Sequence, residues 1–157
     1  MPLTVGLVTS DDSAAYNDFV DELESSGYGF RVELVDARVQ GLDAEASLVE
    51  AINTLSRRSV DVIAVVRGGG AKTDLIAFDR ESVARSIASS PVPVFVGIGH
   101  EIDRSVADEV AFASLKTPTA CAAAIVERVR SFDDRLNALA RRLSDRAGHR
   151  LHRARER

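Results

Sequence analysis

The chain has 157 residues, 45% hydrophobic and 28% charged, the balance of one globular domain long enough to bury a real core. No apolar run approaches the roughly 20 residues that cross a bilayer, "MPLTVGLVTS" lacks the basic start and long apolar stretch of a signal peptide, and the lone Cys121 rules out an internal disulfide or a cysteine-rich zinc site, so a reducing cytoplasm is the expected location. The net charge of −4 is uneven: residues 127–157 hold ten arginines against five acidic residues, leaving residues 1–126 at −9, so global charge neither requires nor excludes a nucleic-acid partner.

"LTVGLVT" (3–9) is a β-branched run that reads as a buried strand. In "SAAYNDFVDELESSG", Ala15, Phe19 and Leu23 recur every four residues and Gly27 is a stop signal, which predicts a helix. "FRVELVD" (30–36) alternates as a strand does. Residues 43–58 predict a second helix, with Asp43 as cap and Leu48, Ile52 and Leu55 on one stripe. "VDVIAVV" (60–66) and "VPVFVGI" (92–98) are nearly continuous apolar runs, as in a parallel sheet covered on both faces. Between them "LIAFDRESVARSIASS" reads as short helical pieces, and "DRSVADEVAFASL" as another short helix. From Pro118, with Thr117 as cap, one long helix is expected. Its Val129, Phe132, Leu136, Leu139 and Leu143 form a heptad seam that needs a partner to bury it.

Strands alternating with helices in this way predict an α/β fold: an open, mostly parallel, Rossmann- or flavodoxin-like sheet with helices on both faces, followed by a long C-terminal helix. Ligands in such folds sit beyond the carboxyl ends of the strands. That rule groups the loops "TSDDSAAYND", "RGGGAKTD" and "GIGHEID".

The glycines of "RGGGAKTD" fit neither the phosphate loop G-x-x-x-x-G-K-[ST] nor, with "GIGHEI", the dinucleotide fingerprint G-x-G-x-x-G. Gly68, Gly69 and Gly70 instead let a ligand approach the backbone and turn its N–H groups inward as an anion nest. Arg67 adds a planar cation that matches two phosphate oxygens. The competing reading is a tight strand-to-helix turn with Arg67 salt-bridged at the surface. His100 and Asp103 are three apart at a helix start, so they can share a face as an acid–base pair or ligate a hard cation such as Mg²⁺; a purely structural histidine is the alternative. Asp18, Asp74 and Asp108 are further carboxylates within reach of the same edge. His149 and His152 read as exposed helix residues, Cys121 as a small buried hydrophobe, and the hydroxyls of "KTPTA" as capping groups able to touch a phosphate.

Taken in order, "VGLVTS…AAYND", "RGGG…DLIAFD", "VGIGHEID…VAD" and "KTPTACAAAIV" resemble the exodeoxyribonuclease VII large-subunit family, over about Val5 to Val126. The resemblance implies hydrolysis of single-stranded DNA to oligonucleotides, a complex with several small helical subunits, and no strict need for a divalent metal, with Mg²⁺ optional. Matched by position, the family's functional residues fall on Asp18, Arg67, His100 and Asp103. His100 is then the group that activates water or protonates the leaving oxygen, and Asp103 orients it. Arg67 and the glycine N–H groups stabilise charge on phosphorus, and Asp18 positions the water or an optional cation. Ser10, Gly68, Gly69, Gly70 and Thr117 are the expected phosphate or DNA contacts.

The chain departs from the family in reading "AKT" where "SLE" is usual and "FASLKTPTAC" near the last motif. The expected division is an α/β catalytic domain at 1–126 and the start of a long basic helix, a truncated coiled-coil region, at 127–157. The chain is expected to be a fragment without the family's OB-fold. The partners expected are single-stranded DNA, the small subunit through the C-terminal helix, and a second copy through the exposed seam, with no membrane. Aromatics make up only 5% of residues and offer few stacking platforms, so weak, salt-sensitive DNA binding is expected. The alternative function is an inactive relative that binds a phosphate-bearing ligand or assembles with a partner.

Overall fold

A computed structural model describes residues 3–69, 72–99 and 104–155, and within these the side chains other than those of 72–74, 145 and 147–155. Five parallel strands, β1 (Thr4–Thr9), β2 (Arg31–Asp36), β3 (Val62–Val66), β4 (Val94–Gly97) and β5 (Ala113–Ser114), lie in the order β2-β1-β3-β4-β5. Among the described residues five α-helices connect or follow them: α1 (Ala14–Ser25), α2 (Ala44–Ser56), α3 (Glu81–Ala88), α4 (Val106–Val110) and α5 (Pro118–Arg155), with a 3₁₀ segment at Lys72–Asp79. Parallel neighbours need a crossover between them, and the crossovers place α2, α3 and α4 on one face of the sheet and α1 and α5 on the other. The expected α/β sheet with a long C-terminal helix is what forms.

The central strands bury both faces, as their unbroken apolar runs require. Val5, Leu7 and Val66 point to the α1/α5 face, with Phe19, Leu23, Cys121 and Ile125. Val8, Ile63 and Val65 point to the α2/α3/α4 face, with Leu48, Ile52, Leu55 and Phe78. Each fully buried large apolar side chain of this kind contributes about 1.5–3 kcal/mol. Strand β2 lies at an edge, and its central residues are only half-buried.

Local signals set the element ends. Ser13 caps α1 by accepting the Tyr16 N–H at 3.1 Å, and Gly27, at φ +74°, takes the left-handed turn that follows it. Thr117 Oγ1 accepts the Ala120 N–H at 3.0 Å and caps α5, with Pro118 in the first helical position as expected. Two sequence readings need correction. Asp43 precedes α2 but makes no capping hydrogen bond, because its carboxylate pairs with Arg38 instead. "FAS" is not helical: Phe112 and Leu115 donate to the Val94 and Val96 carbonyls at 2.9 and 2.8 Å, making β5 a fifth strand.

Helix α5 crosses the sheet and then leaves it. Its seam is 0% exposed at Val129, 38% at Phe132, 49% at Leu136, 54% at Leu139 and 68% at Leu143, so the helix parts from the domain just past Val129.

Candidate functional site

The strand order changes direction between β1 and β3, and the loops beyond their carboxyl ends flank that point. This is the place where sheets of this order bind ligands. The loop after β4 is adjacent, since the Arg67 N–H donates to the Gly97 carbonyl at 3.1 Å. The three loops grouped from the sequence therefore share one edge.

Arg67 follows β3 directly and is only 3% exposed. It is buried at the end of its strand, which corrects the placement of this arginine at the surface. Gly68 packs against Ala15 of α1 at ordinary contact distance: a Cβ there would lie 3.7 Å from that of Ala15. A Cβ on Gly69 would meet nothing among the described residues within 4 Å. Neither glycine adopts the left-handed conformation, so the αR–αL form of a nest is not made by these two. Gly70 lies outside the described residues. Among the described residues, packing and backbone geometry thus both admit a side chain at 69.

Residues from the neighbouring elements complete the edge. Ser10 is half-buried and donates its hydroxyl to the Ala37 carbonyl at 3.0 Å, tying the β1 loop to the end of β2. Asp18 is exposed on α1, one turn beyond the Ala15 that touches Gly68, and side chains on a helix lean toward its N-terminus, here the Gly68 side. Thr117 has an exposed side chain whose oxygen is used in capping while its O–H remains a donor. Its backbone oxygen would lie 2.9 Å from a Cβ on Gly97, so α5 starts in contact with the end of β4. Gly99, at φ +80°, turns the chain into "HEID" with a conformation few other residues accept. His100 and Asp103 lie outside the described residues, as does the side chain of Asp74. So do the side chains of His149 and His152.

Asp108, expected among the site carboxylates, is committed elsewhere. It is 7% exposed and accepts the Ser105 N–H at 3.0 Å, the Ser105 hydroxyl at 2.8 Å and the Ser114 hydroxyl at 2.8 Å. Ser105 in turn accepts the Asp108 N–H at 3.2 Å, a reciprocal capping box at the start of α4. The S-x-x-D spacing of "SVAD" carries that signal in the sequence. Cys121 is buried as expected, and desolvation pushes its thiol well above the usual range. Among the described residues no three His, Cys, Asp or Glu side chains gather to hold a metal, and no helix is long and apolar enough to cross a membrane. Arg104, which follows "HEID" in the sequence, and Lys116, whose carbonyl oxygen would lie 3.6 Å from a Cβ on Gly99, were not singled out from the sequence. Only their places beside the site's loops mark them.

The sequence model of the family described as "Exonuclease VII, large subunit" matches residues 1–157. The chain is 42% identical over 158 residues to the exodeoxyribonuclease 7 large subunit of Moorella thermoacetica, covering 100% of this chain and 39% of that protein. It is 43% identical over 152 residues to the protein of the same name from Desulforudis audaxviator, covering 96% and 37%. Among solved structures, a response regulator from Burkholderia multivorans aligns at 18% identity and TM-score 0.44, over 85% of this chain and 96% of its own. The chain spans about two fifths of the length of the curated relatives it matches. With a family model matched from end to end and the family's motifs on the loops of one sheet edge, the chain belongs to the exonuclease VII large-subunit family.

Proposed function

We propose that this chain is the catalytic portion of an exonuclease VII large subunit, hydrolysing phosphodiester bonds of single-stranded DNA to oligonucleotides. The observation that carries the reading is Arg67, 3% exposed at the carboxyl end of β3 and directly before the loop glycines, beside the point where the strand order changes direction. An arginine at that point of such a sheet suits the oxyanion of a substrate.

In this reading the phosphodiester lies over Gly68 and Gly69, with Arg67 on its non-bridging oxygens, where added charge develops as water attacks phosphorus. His100 takes the proton of that water or gives one to the leaving oxygen, and Asp103 fixes its orientation. Asp18, Ser10 and Thr117 hold the water, an optional Mg²⁺ or the flanking phosphates in the same reading. The division at residue 126 then separates chemistry from assembly. Residues 127–157 form the start of a coiled-coil arm whose exposed leucines take the small subunit or a second copy.

The test is cleavage of end-labelled single-stranded DNA by the chain and by His100→Ala prepared identically, each with and without EDTA. Cleavage lost in His100→Ala supports the reading, and the EDTA lanes decide the role of a cation. Equal cleavage by both proteins removes His100 from the mechanism. No cleavage by either, even with the small subunit added, leaves the alternative of an inactive phosphate-binding relative.

A further inference from the structure

The two faces of the sheet are covered unequally. Helices α2, α3 and α4 pack on one face, and among the described residues α1 and α5 cover the other. On that second face α5 packs over β3 and β4 with α1 beside it, so the outermost strand, β2, is left without a helix of its own. Its Val32 and Leu34, with Phe30 just before it, are only half-buried there. Phe30, Val32 and Tyr28 form one wall of an open cleft of about 440 Å³, and Tyr16, Val20 and Leu23 of α1 form the other.

The rim of this cleft is negative. Glu24 lines it, and Asp21 is exposed three residues earlier, a neighbour on the same helix. Residues 1–30 hold six acidic residues and no lysine or arginine. Arg31 follows, but alternation along β2 puts it on the opposite face from Phe30 and Val32, where it pairs with Glu33.

A second uncovered surface of the molecule has the complementary character. Phe132, Leu136, Leu139 and Leu143 line the free part of α5, 38–68% exposed. The exposed Arg135 and Arg142, seven residues apart, flank this seam on one side, and residues 127–157 hold ten arginines against five acidic residues. From Phe132 to Leu143 the helix runs about 18 Å, close to the roughly 20 Å of the six-residue β2. The arm does not reach the cleft of its own chain, because α5 is one continuous helix and α1 stands between it and β2.

We propose that the α5 arm of one copy docks in the α1/β2 cleft of a second copy, its leucines on Val20, Tyr28, Phe30 and Val32 and its Arg135 and Arg142 against Asp21 and Glu24. The docked arm supplies the helix that β2 lacks. This rests on reading residues 127–157 as an assembly arm and is independent of the nuclease chemistry.

The test is sedimentation velocity of the full chain over a series of protein and salt concentrations. The chain is expected to self-associate, less so as salt screens the opposite charges. Leu139→Glu on the arm is expected to weaken association at least tenfold, and the rim reversal Asp21→Lys with Glu24→Lys roughly tenfold. Adding Arg135→Glu and Arg142→Glu to the rim reversal is expected to recover most of the loss. Glu50→Lys, exposed on α2 away from both surfaces, is expected to stay within about twofold. All these sites are exposed, and thermal unfolding checks that each variant is folded. A parent chain that stays monomeric leaves the arm to a different partner and overturns the proposal. Association lost in Leu139→Glu but kept in the rim reversal means that arms pair with each other, and overturns it too. Either result leaves the nuclease reading in place, since that reading is decided by the cleavage assay.

Discussion

Gly97 is the last residue of β4, and the geometry around it leaves no room for a methyl group. A Cβ there would lie 2.9 Å from the Cys121 Cβ and 2.9 Å from the Thr117 backbone oxygen. That oxygen is not free to swing aside, because it accepts the Cys121 N–H at 2.9 Å in the first turn of α5. Gly97→Ala therefore has to push the start of α5 off the sheet. Overpacking costs about 1–3 kcal/mol, and a fixed carbonyl puts this case toward the upper end. The lower entropy of the unfolded alanine chain returns about 0.4–1 kcal/mol. The expected net loss is about 2 kcal/mol, a fall in Tm of about 4–8 °C for a domain of this size. Gly6→Ala is the control. Its Cβ would lie 2.9, 3.0 and 3.3 Å from Leu55 Cδ1, Cδ2 and Cγ, side-chain atoms rather than a hydrogen-bonded backbone, so it is expected to cost less than Gly97→Ala. Thermal and urea unfolding of the parent and both variants decides the matter. A Gly97→Ala protein as stable as the parent, or less affected than Gly6→Ala, would refute the claim that α5 is seated on the end of β4.

Two further outcomes follow from buried groups. Asp108→Ala removes the acceptor of the Ser105 N–H and of two hydroxyls, together with the cap of α4, and is expected to cost about 3 kcal/mol in urea unfolding, whereas a loss under about 1 kcal/mol would mean that water replaces the carboxylate. Burial raises the Cys121 thiol, so above about pH 8.5 the unfolded chain releases a proton that the folded chain keeps, and stability should fall by about 1.4 kcal/mol per pH unit; Cys121→Ala should lack this component, and identical pH profiles would show that the thiol ionises in the folded state.

The elements that could be read from the sequence are those whose own residues carry a periodic pattern. Strands β1, β3 and β4 are buried on both faces, so nearly every residue must be apolar, and α1 and α2 repeat their buried positions every three or four residues. Strand β5 has two residues, too few for any period, and exists because the Val94 and Val96 carbonyls are there to receive it. Asp43 illustrates a different limit. Its residue type and position suit a cap, but the side chain has one carboxylate, and Arg38 outcompetes the backbone for it. Choices of that kind depend on what folds alongside.

The site divides along the same line. Parallel sheets gather the loops after adjacent strands at one edge, so "RGGG" and the loop after β1 could be placed together from strand order alone. The burial of Arg67 could not, because an arginine after a run of valines reads equally well as the point where a strand meets solvent. Separate segments meet around its backbone: α1 against the next residue, Gly68, and the Gly97 carbonyl of β4 on the Arg67 N–H. Asp108 is the converse case, a carboxylate near the edge in sequence that Ser105 and Ser114 withdraw into structure. Local pattern can nominate a charged residue, but only tertiary enclosure decides whether its charge is spent on the fold, as it is at Asp108.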